Sequence, residues 1–436
     1  MRTGMNRRSF VKATAAGIGG ASALRLCGQG AAQVVKPLRV AMIGCGPRGR
    51  VLLSEACKER VVALVDPDRR QIDSALGTLR GLSAPTEGVK IFSDYRVLFE
   101  QMGKELDAVM IATPNHHHAP PALLAIRRGI HVYLEKPLTL TIAEARQVAE
   151  EARRHGVATQ MGQHGHATEG TRRLCEYIWS GAIGPVREVY CWSDRANGLP
   201  GGRRPPVLPV PEGLDWEKWI GPATFREYHA GLHLHSWHRW CDFGNGSIGN
   251  MGSHIIDPVY WALKLGAPLS VEAEEVAGGS EEFYPVSTRI RWDFPAREGM
   301  PPVKLYWYDG LAKGQTYSKQ TLGSIDCVHR EFTNRPPLVV ELEKKHNRDF
   351  GSNGSILVGE KGVMTIGQHG DGCRMVPEEA HRAFPVPEKV LPRIKGTHQE
   401  DFFRACRGGT PASANFDYSE PDRKSTRLNS SHGKLS

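Results

Sequence analysis

The stretch Leu38-Arg39-Val40-Ala41-Met42-Ile43-Gly44-Cys45-Gly46-Pro47-Arg48-Gly49 decides how this chain folds. It opens as a short apolar run bounded by glycine, the pattern of a strand buried on both faces of a parallel sheet. Gly44, Gly46 and Gly49 then form a G-x-G-x-x-G, and Arg50 to Cys57 can start a helix. In that pattern the first glycine permits a tight turn, the second lets a pyrophosphate approach the backbone, and the third lets helix and strand pack closely. Unpaired N–H groups at the helix start, with Arg48 beside them, would face the phosphates. A second apolar strand, Val61 to Val65, ends on Asp66, whose carboxylate can accept hydrogen bonds from the adenosine ribose hydroxyls. The same charge repels the extra phosphate of NADP, so NAD is the expected cofactor.

Outward from this stretch the alternation continues. Short strands are expected at Val89–Phe92, Asp107–Ala112, His131–Leu134 and Val157–Met161, with helices between them, the last capped by Thr141. This is a doubly wound parallel sheet, and ligands of such sheets bind beyond the carboxyl ends of the strands. Asp66, Thr113-Pro114-Asn115 and Glu135-Lys136-Pro137 all fall on that edge. Proline after Lys136 disfavours helical backbone there, so the ammonium can project into the cleft. From Gly162 the pattern changes to a helix near Thr171–Ser180, a strand at Val186–Trp192, a Gly/Pro-rich loop over 198–213, and alternating strands near 271–276, 287–294 and 304–308. That reads as an α+β domain on a largely antiparallel open sheet. The expected division is a signal peptide over 1–32, a Rossmann domain over 33–162, a substrate and oligomerisation domain over 163–421, and a foreign tail over 422–436.

A second cluster runs from Gly244 to Asp257, where glycines give way to a helix carrying Asn250, His254 and Asp257 at i, i+4 and i+7 on one face. An imidazole suits proton transfer near neutral pH, and a lysine ammonium nearby would keep it neutral enough to act as a base. The run His233-Leu234-His235-Ser236-Trp237-His238-Arg239-Trp240 adds aromatic faces that stack on sugar C–H surfaces, with basic groups for hydroxyls or a carboxylate. Trp237, His238 and Arg239 are therefore candidate substrate residues, with core packing the competing account. No carboxylate accompanies His233, His235 and His238 at ligand spacing, so no metal is expected. His116-His117-His118 reads as a helix entrance near the cofactor.

These pieces resemble the family of glucose–fructose oxidoreductase, inositol dehydrogenase and rhizopine-catabolism proteins, usually called Gfo/Idh/MocA. The resemblance covers about Leu38 to Pro421 and is carried by the glycine turn, Thr113-Pro114-Asn115 with His118, Glu135-Lys136-Pro137, and the stretch from Gly244 to His254 and Asp257. It implies hydride transfer between nicotinamide and a sugar or polyol carbon, with Lys136 orienting the reacting hydroxyl and His254 as acid/base. It also implies a second domain whose open sheet mediates homo-oligomers. One departure matters: many members carry aspartate four residues before the histidine, and this chain has Asn250, whose amide can hold a hydroxyl but cannot take its proton.

The formal charge of +9 on 436 residues invites a nucleic-acid reading, yet residues 1–32 hold a surplus of five positive charges and 422–436 a surplus of three. The body is nearly neutral, and no nucleic-acid partner is expected. Asn6-Arg7-Arg8-Ser9-Phe10-Val11-Lys12 followed by a mild apolar stretch is a twin-arginine pattern, too short and glycine-rich for a permanent membrane anchor. It points to a periplasmic or other extracytoplasmic protein exported folded. Asp422 to His432 reads like a translated adapter, with the natural chain expected to continue past Pro421. Nine cysteines without a C-x-x-C pair argue against a disulfide framework or structural zinc. The expectation is an exported, NAD-dependent oxidoreductase acting on a carbohydrate (a sugar, sugar acid or glycoside) with the cofactor held through turnover, because no free NAD pool is replenished outside the cytoplasm. An NAD-dependent glycosidase working by transient oxidation and elimination, and a noncatalytic sugar-binding protein, are the alternatives.

Overall fold

A computed structural model describes residues 36–199, 202–323 and 326–420. The twin-arginine stretch and the segment from 422 onward lie outside them.

The first layer is a six-stranded sheet of β1 (Arg39–Ile43), β2 (Arg60–Val65), β3 (Lys90–Phe92), β4 (Ala108–Ile111), β5 (His131–Leu134) and β6 (Thr159–Met161). Its order is β3-β2-β1-β4-β5-β6 with every pair parallel, so the strand order reverses at β1 and opens a crevice between the ends of β1 and β4. Val40, Ala41, Met42 and Ile43 are buried because helices cover both faces. Among those helices, Ile142–His155 starts with a capping box in which Thr141 and Glu144 satisfy each other's backbone N–H groups.

The second sheet holds β7 (Val186–Ser193), β8 (Ser270–Ala277), β9 (Ser287–Phe294), β10 (Val303–Gly310), β11 (Gly354–Gly359), β12 (Gly362–Gly367) and β13 (Arg374–Val376) in the order β13-β12-β11-β7-β10-β9-β8. Only β7 and β10 run parallel. One face packs on helices Glu169–Trp179 and Ser253–Ala262 through Leu174, Ile178, Ile255, Val259, Trp292 and Trp307. The architecture is thus a parallel α/β layer followed by a mixed, mostly antiparallel sheet with two helices on one face and helix Pro337–His346 packed on part of the other through Val339 and Leu342.

The chain then returns. Helix His398–Cys406 buries Phe402 and Phe403 against Tyr133 and the helical layer of the first sheet, and Phe416 enters the core on the opposite face. Met161 donates its N–H to Ala414 O at 2.8 Å, so this returning segment covers the β6 edge. Residues 397–420, placed with the second domain by sequence, are packed on the first.

Candidate active site

Each glycine of the turn has a distinct geometric reason. Gly44 sits at φ +89°, and a Cβ there would lie 2.6 Å from Ala112 O. A Cβ on Gly49 would lie 2.0 Å from Gly44 O, so only glycine lets helix Pro47–Ala56 start this close to its strand. Around Gly46 nothing lies within 4 Å of such a Cβ, and the residue faces a cleft of about 1000 Å³. Gly46 is also the N-cap and gives no side-chain cap, leaving the first N–H groups of the helix available to phosphate oxygens. Asp66 Oδ2 accepts from Cys45 N at 2.8 Å and Oδ1 from Asp68 N at 2.9 Å. Each oxygen keeps a second lone pair for a ribose hydroxyl. Burial pushes the Asp66 carboxyl up to about 6.

Thr113, Pro114 and Asn115 continue the cleft wall from the end of β4. Asn115 donates through Nδ2 to Asn245 Oδ1 at 2.8 Å, while its own Oδ1 is buried without a hydrogen-bond partner among the described residues. Such an oxygen fits a donor from a bound dinucleotide. His118, expected on the cofactor, is instead buried, with Nε2 3.0 Å from Thr113 O and Nδ1 2.8 Å from Pro137 O. The short turn Asn115–His117 swings it inward, so it staples two cleft turns together rather than lining the cleft.

Glu135 follows β5 nearly fully buried and pairs with Arg48 at 2.7 Å, tying the glycine-turn helix to the lysine turn. A Cβ on Gly162 would sit 2.6 Å from the Glu135 carboxylate, so β6 must end on glycine for this pair to exist. Lys136 donates through Nζ to Asn250 O at 2.8 Å and to Asn250 Oδ1 at 2.9 Å. Burial pulls its ammonium down to about 8, against the raising effect of Glu135. Asn250 therefore holds the lysine; its amide oxygen is already engaged before any hydroxyl arrives.

The helix expected through Asn250, His254 and Asp257 is broken by a π turn over Ile248–Gly252, before a regular helix from Ser253. The wider turn changes the phase, and the three side chains part company. His254 lies behind Lys136 and Asn250 and, unlike them, does not line the cleft. Asp257 was expected at the substrate, but its carboxylate takes Gln163 Nε2 at 2.6 Å, His166 Nδ1 at 3.1 Å and Tyr418 OH at 2.7 Å. It is a buried anchor for the residues after β6 and for the returning segment.

Tertiary folding adds two imidazoles to His254. His164, three residues past β6, has its ring 5.4 Å from that of His254, and His369 lies 4.3 Å from His254 and 4.5 Å from His164. His369 sits at φ +63°, a strained setting for a non-glycine residue. Its backbone reaches the turn because Gly165 has no Cβ, which would lie 2.7 Å from His369 Cα. The Nδ1 atoms of all three are buried without a hydrogen-bond partner among the described residues. Burial, then the charges of Lys136, His369 and His164, hold His254 well below the ordinary histidine value. It is neutral at physiological pH and can take a proton.

Of the aromatic and basic run, Trp237 and His238 line the cleft beside Lys136, with ring centroids 3.6 Å apart, and His233 and His235 join them. Arg239 does not: its guanidinium is ion-paired with Asp326, and the residue is absent from the cleft wall. Among the described residues no group of three or more His, Cys, Asp or Glu side chains has an arrangement that could hold a metal.

A parallel sheet with an uncapped glycine-turn helix, a strand-end carboxylate and a buried lysine on one cleft defines a two-domain dinucleotide-binding protein. Comparison with known proteins agrees. Residues 38–163 match the oxidoreductase family's NAD-binding Rossmann fold, and residues 193–288 match the same family's C-terminal alpha/beta domain, together about half of the chain. The chain belongs to the Gfo/Idh/MocA oxidoreductase family. It is 28% identical over 243 residues to D-glucoside 3-dehydrogenase of Escherichia coli (strain K12), covering 56% of this chain and 58% of that protein. It is 29% identical over 167 residues to 2,7-anhydro-N-acetylneuraminate hydratase of Mediterraneibacter gnavus, covering 38% of this chain and 41% of that protein. The chain spans about half the length of the curated relatives it matches. The fold also matches the WlbA dehydrogenase from Bordetella pertussis in complex with NADH and UDP-GlcNAcA, with a TM-score of 0.57 at 13% identity over 91% of this chain and 96% of that one.

Proposed function

We propose that this protein oxidises a carbinol carbon of a sugar, sugar acid or glycoside, passing hydride to an NAD that stays bound through turnover and is reoxidised by a second sugar or keto compound, and that it is exported. The observation that carries this reading is Lys136: a desolvated ammonium, oriented by two hydrogen bonds that it donates to Asn250, on the same cleft as the glycine turn and Asp66. Bound NAD would supply the hydride acceptor. Lys136 steadies negative charge developing on the reacting oxygen, where a desolvated cation is worth more than in water. His254, neutral by burial, is the candidate proton acceptor behind it. Trp237 and His238 offer a face and an edge to a pyranose ring.

Two features favour NAD over NADP. Asp66 presents its carboxylate at the ribose position, and the nearby bases on that end of the cleft are already paired, Arg96 with Asp94 and Lys218 with Asp215. The reading of a retained cofactor rests on the twin-arginine pattern, and the hydratase among the relatives is, by its name, not a net oxidant, which supports a cycle that returns its electrons. The same relative favours the second reading, elimination from a transiently oxidised glycoside followed by reduction. Homo-oligomerisation is supported by a half-buried patch at β7 and β10, where Tyr190 and Tyr306 stack at 5.0 Å with Lys304 exposed, beside the helix Pro337–His346 that covers Trp192 and Tyr308.

Denaturing the purified protein and weighing the released nucleotide tests cofactor retention; stoichiometric NAD is expected. Product analysis on a panel of sugars and glycosides then separates the chemistries, a keto sugar marking oxidation and a freed aglycone without net redox change marking the glycosidase. Lys136→Ala should abolish turnover while still binding NAD, and normal turnover in that variant would overturn the assignment.

A further inference from the structure

We infer that the segment between β7 and β8 from Gly213 to His233 is a strap that forms the second wall of the adenosine site, so that the cofactor leaves only when the strap detaches. The inference rests on the dinucleotide reading above. The segment is tied beyond the carboxyl ends of three strands on both sides of β1. Beyond β2, Asp68 bridges Leu214, Arg69 N donates to Gly213 O at 2.8 Å, Asp215 N donates to Pro67 O at 2.9 Å, and His233 Nε2 lies 2.8 Å from Asp68 Oδ2. Beyond β3, Lys218 Nζ donates to Ser93 Oγ at 3.0 Å. Beyond β4, the Nε2 atoms of His116 and His117 each lie 3.0 Å from Trp219 O. Gly221, at φ +53°, lets the chain pass over His117, whose ring would lie 2.1 Å from a Cβ there.

These ties bracket Asp66, the residue that would hold the adenosine ribose. One wall of the cleft at this end is Asp66 and Ser93 to Arg96; the facing wall is Asp215, Lys218, Trp219 and Pro222. The strap is also stiff, since Leu214, Trp216, Trp219 and Leu232 pack with Trp240 and Phe243 into a small core of their own. A ligand between the two walls is released only by breaking several ties together, the kind of step that governs cofactor or product release in enzymes with closing loops.

The test is a displacement experiment on the full chain, following loss of bound NADH fluorescence after addition of excess NAD. A Cβ at Gly213 lies 3.6 Å from Arg69 Cβ, within disulfide range. The Arg69→Cys/Gly213→Cys protein, loaded with NADH and then oxidised, should release it about tenfold more slowly than after reduction, with the oxidised parent as control. Because the positive φ of Gly213 disfavours cysteine, a second variant works in the opposite sense. His233→Ala with Lys218→Ala should release NADH about tenfold faster than the parent. Unchanged release in the double-alanine variant, or in a cysteine pair whose cross-link is confirmed by mass, overturns the strap. Failure of the parent to bind NADH would instead overturn the dinucleotide reading itself.

Discussion

Replacing Asn250 by aspartate tests the lysine at the centre of the site. In the native protein Lys136 Nζ sits 2.9 Å from an uncharged oxygen, and burial leaves its pKa at about 8 instead of the ordinary 10.5. That difference corresponds to about 3 kcal/mol held against the charged form. If the ammonium is what steadies the reacting oxygen, kcat/KM should fall with rising pH through about 8. Asn250→Asp puts a carboxylate where the amide oxygen was. Two unit charges about 3 Å apart attract by about 5 kcal/mol at an effective dielectric of about 20, before the cost of burying the new charge. After that cost, an opposite charge at this range raises a lysine pKa by about 1 to 3. The alkaline limb of kcat/KM should therefore move up to between about 9 and 11. Initial rates of keto-sugar formation with a second sugar or keto compound as acceptor, between neutral pH and the alkaline limit of protein stability, measure it. An alkaline limb in the same place in both proteins would refute the role given to Lys136.

Three further outcomes follow from the geometry. His369→Phe keeps a ring against His254 but removes an imidazole that burial makes titrate at about 4, so that it is charged only in acid, where it opposes a proton on His254; the His254 pKa rises and the acid limb of kcat/KM moves to higher pH, and an unmoved limb would show that His369 does not act through His254. Asp66 titrates near about 6, raised by burial, so below that pH its carboxylate is protonated, accepts ribose hydroxyls poorly and repels a 2′-phosphate less. Preference for NAD over NADP in binding titrations should shrink as pH falls from 7 to 5 by an amount that Asp66→Asn abolishes, about 1 kcal/mol or more. Phe402, fully buried in the helix that returns to the first sheet, should cost about 3–5 kcal/mol when cut to alanine, measured by urea unfolding.

The first domain was legible because its signals are local. An apolar strand, a spaced set of glycines and a strand-end acid lie within one continuous stretch, and the structure gives Gly44 and Gly49 separate steric reasons and leaves Gly46 open to the cleft. The carboxyl-edge rule brought Asp66, Thr113, Asn115 and Lys136 to one cleft before any coordinates. Helical spacing was a poorer guide. It put Asn250, His254 and Asp257 on one face, and a π turn inserted between glycines undid that phase. His164 could have been found by the same edge rule, since it follows β6 as Lys136 follows β5. His369 carried no local signal; it arrives from the far hairpin through a close approach that Gly165 permits.

The sequence by itself determined the fold class, the position of the glycine turn and the place of Lys136 on the cleft edge, because each depends on backbone conformation and burial over a few neighbouring residues. The tertiary structure alone decided which polar groups are free. Asp257, Arg239 and His118 are as reactive on paper as Lys136 and His254, but long-range partners consume the first three, namely Tyr418, Asp326 and the two turns around His118. Whether a side chain faces substrate or holds the scaffold depends on what lies across the cleft from it, and that neighbour is set by packing between segments far apart in the chain.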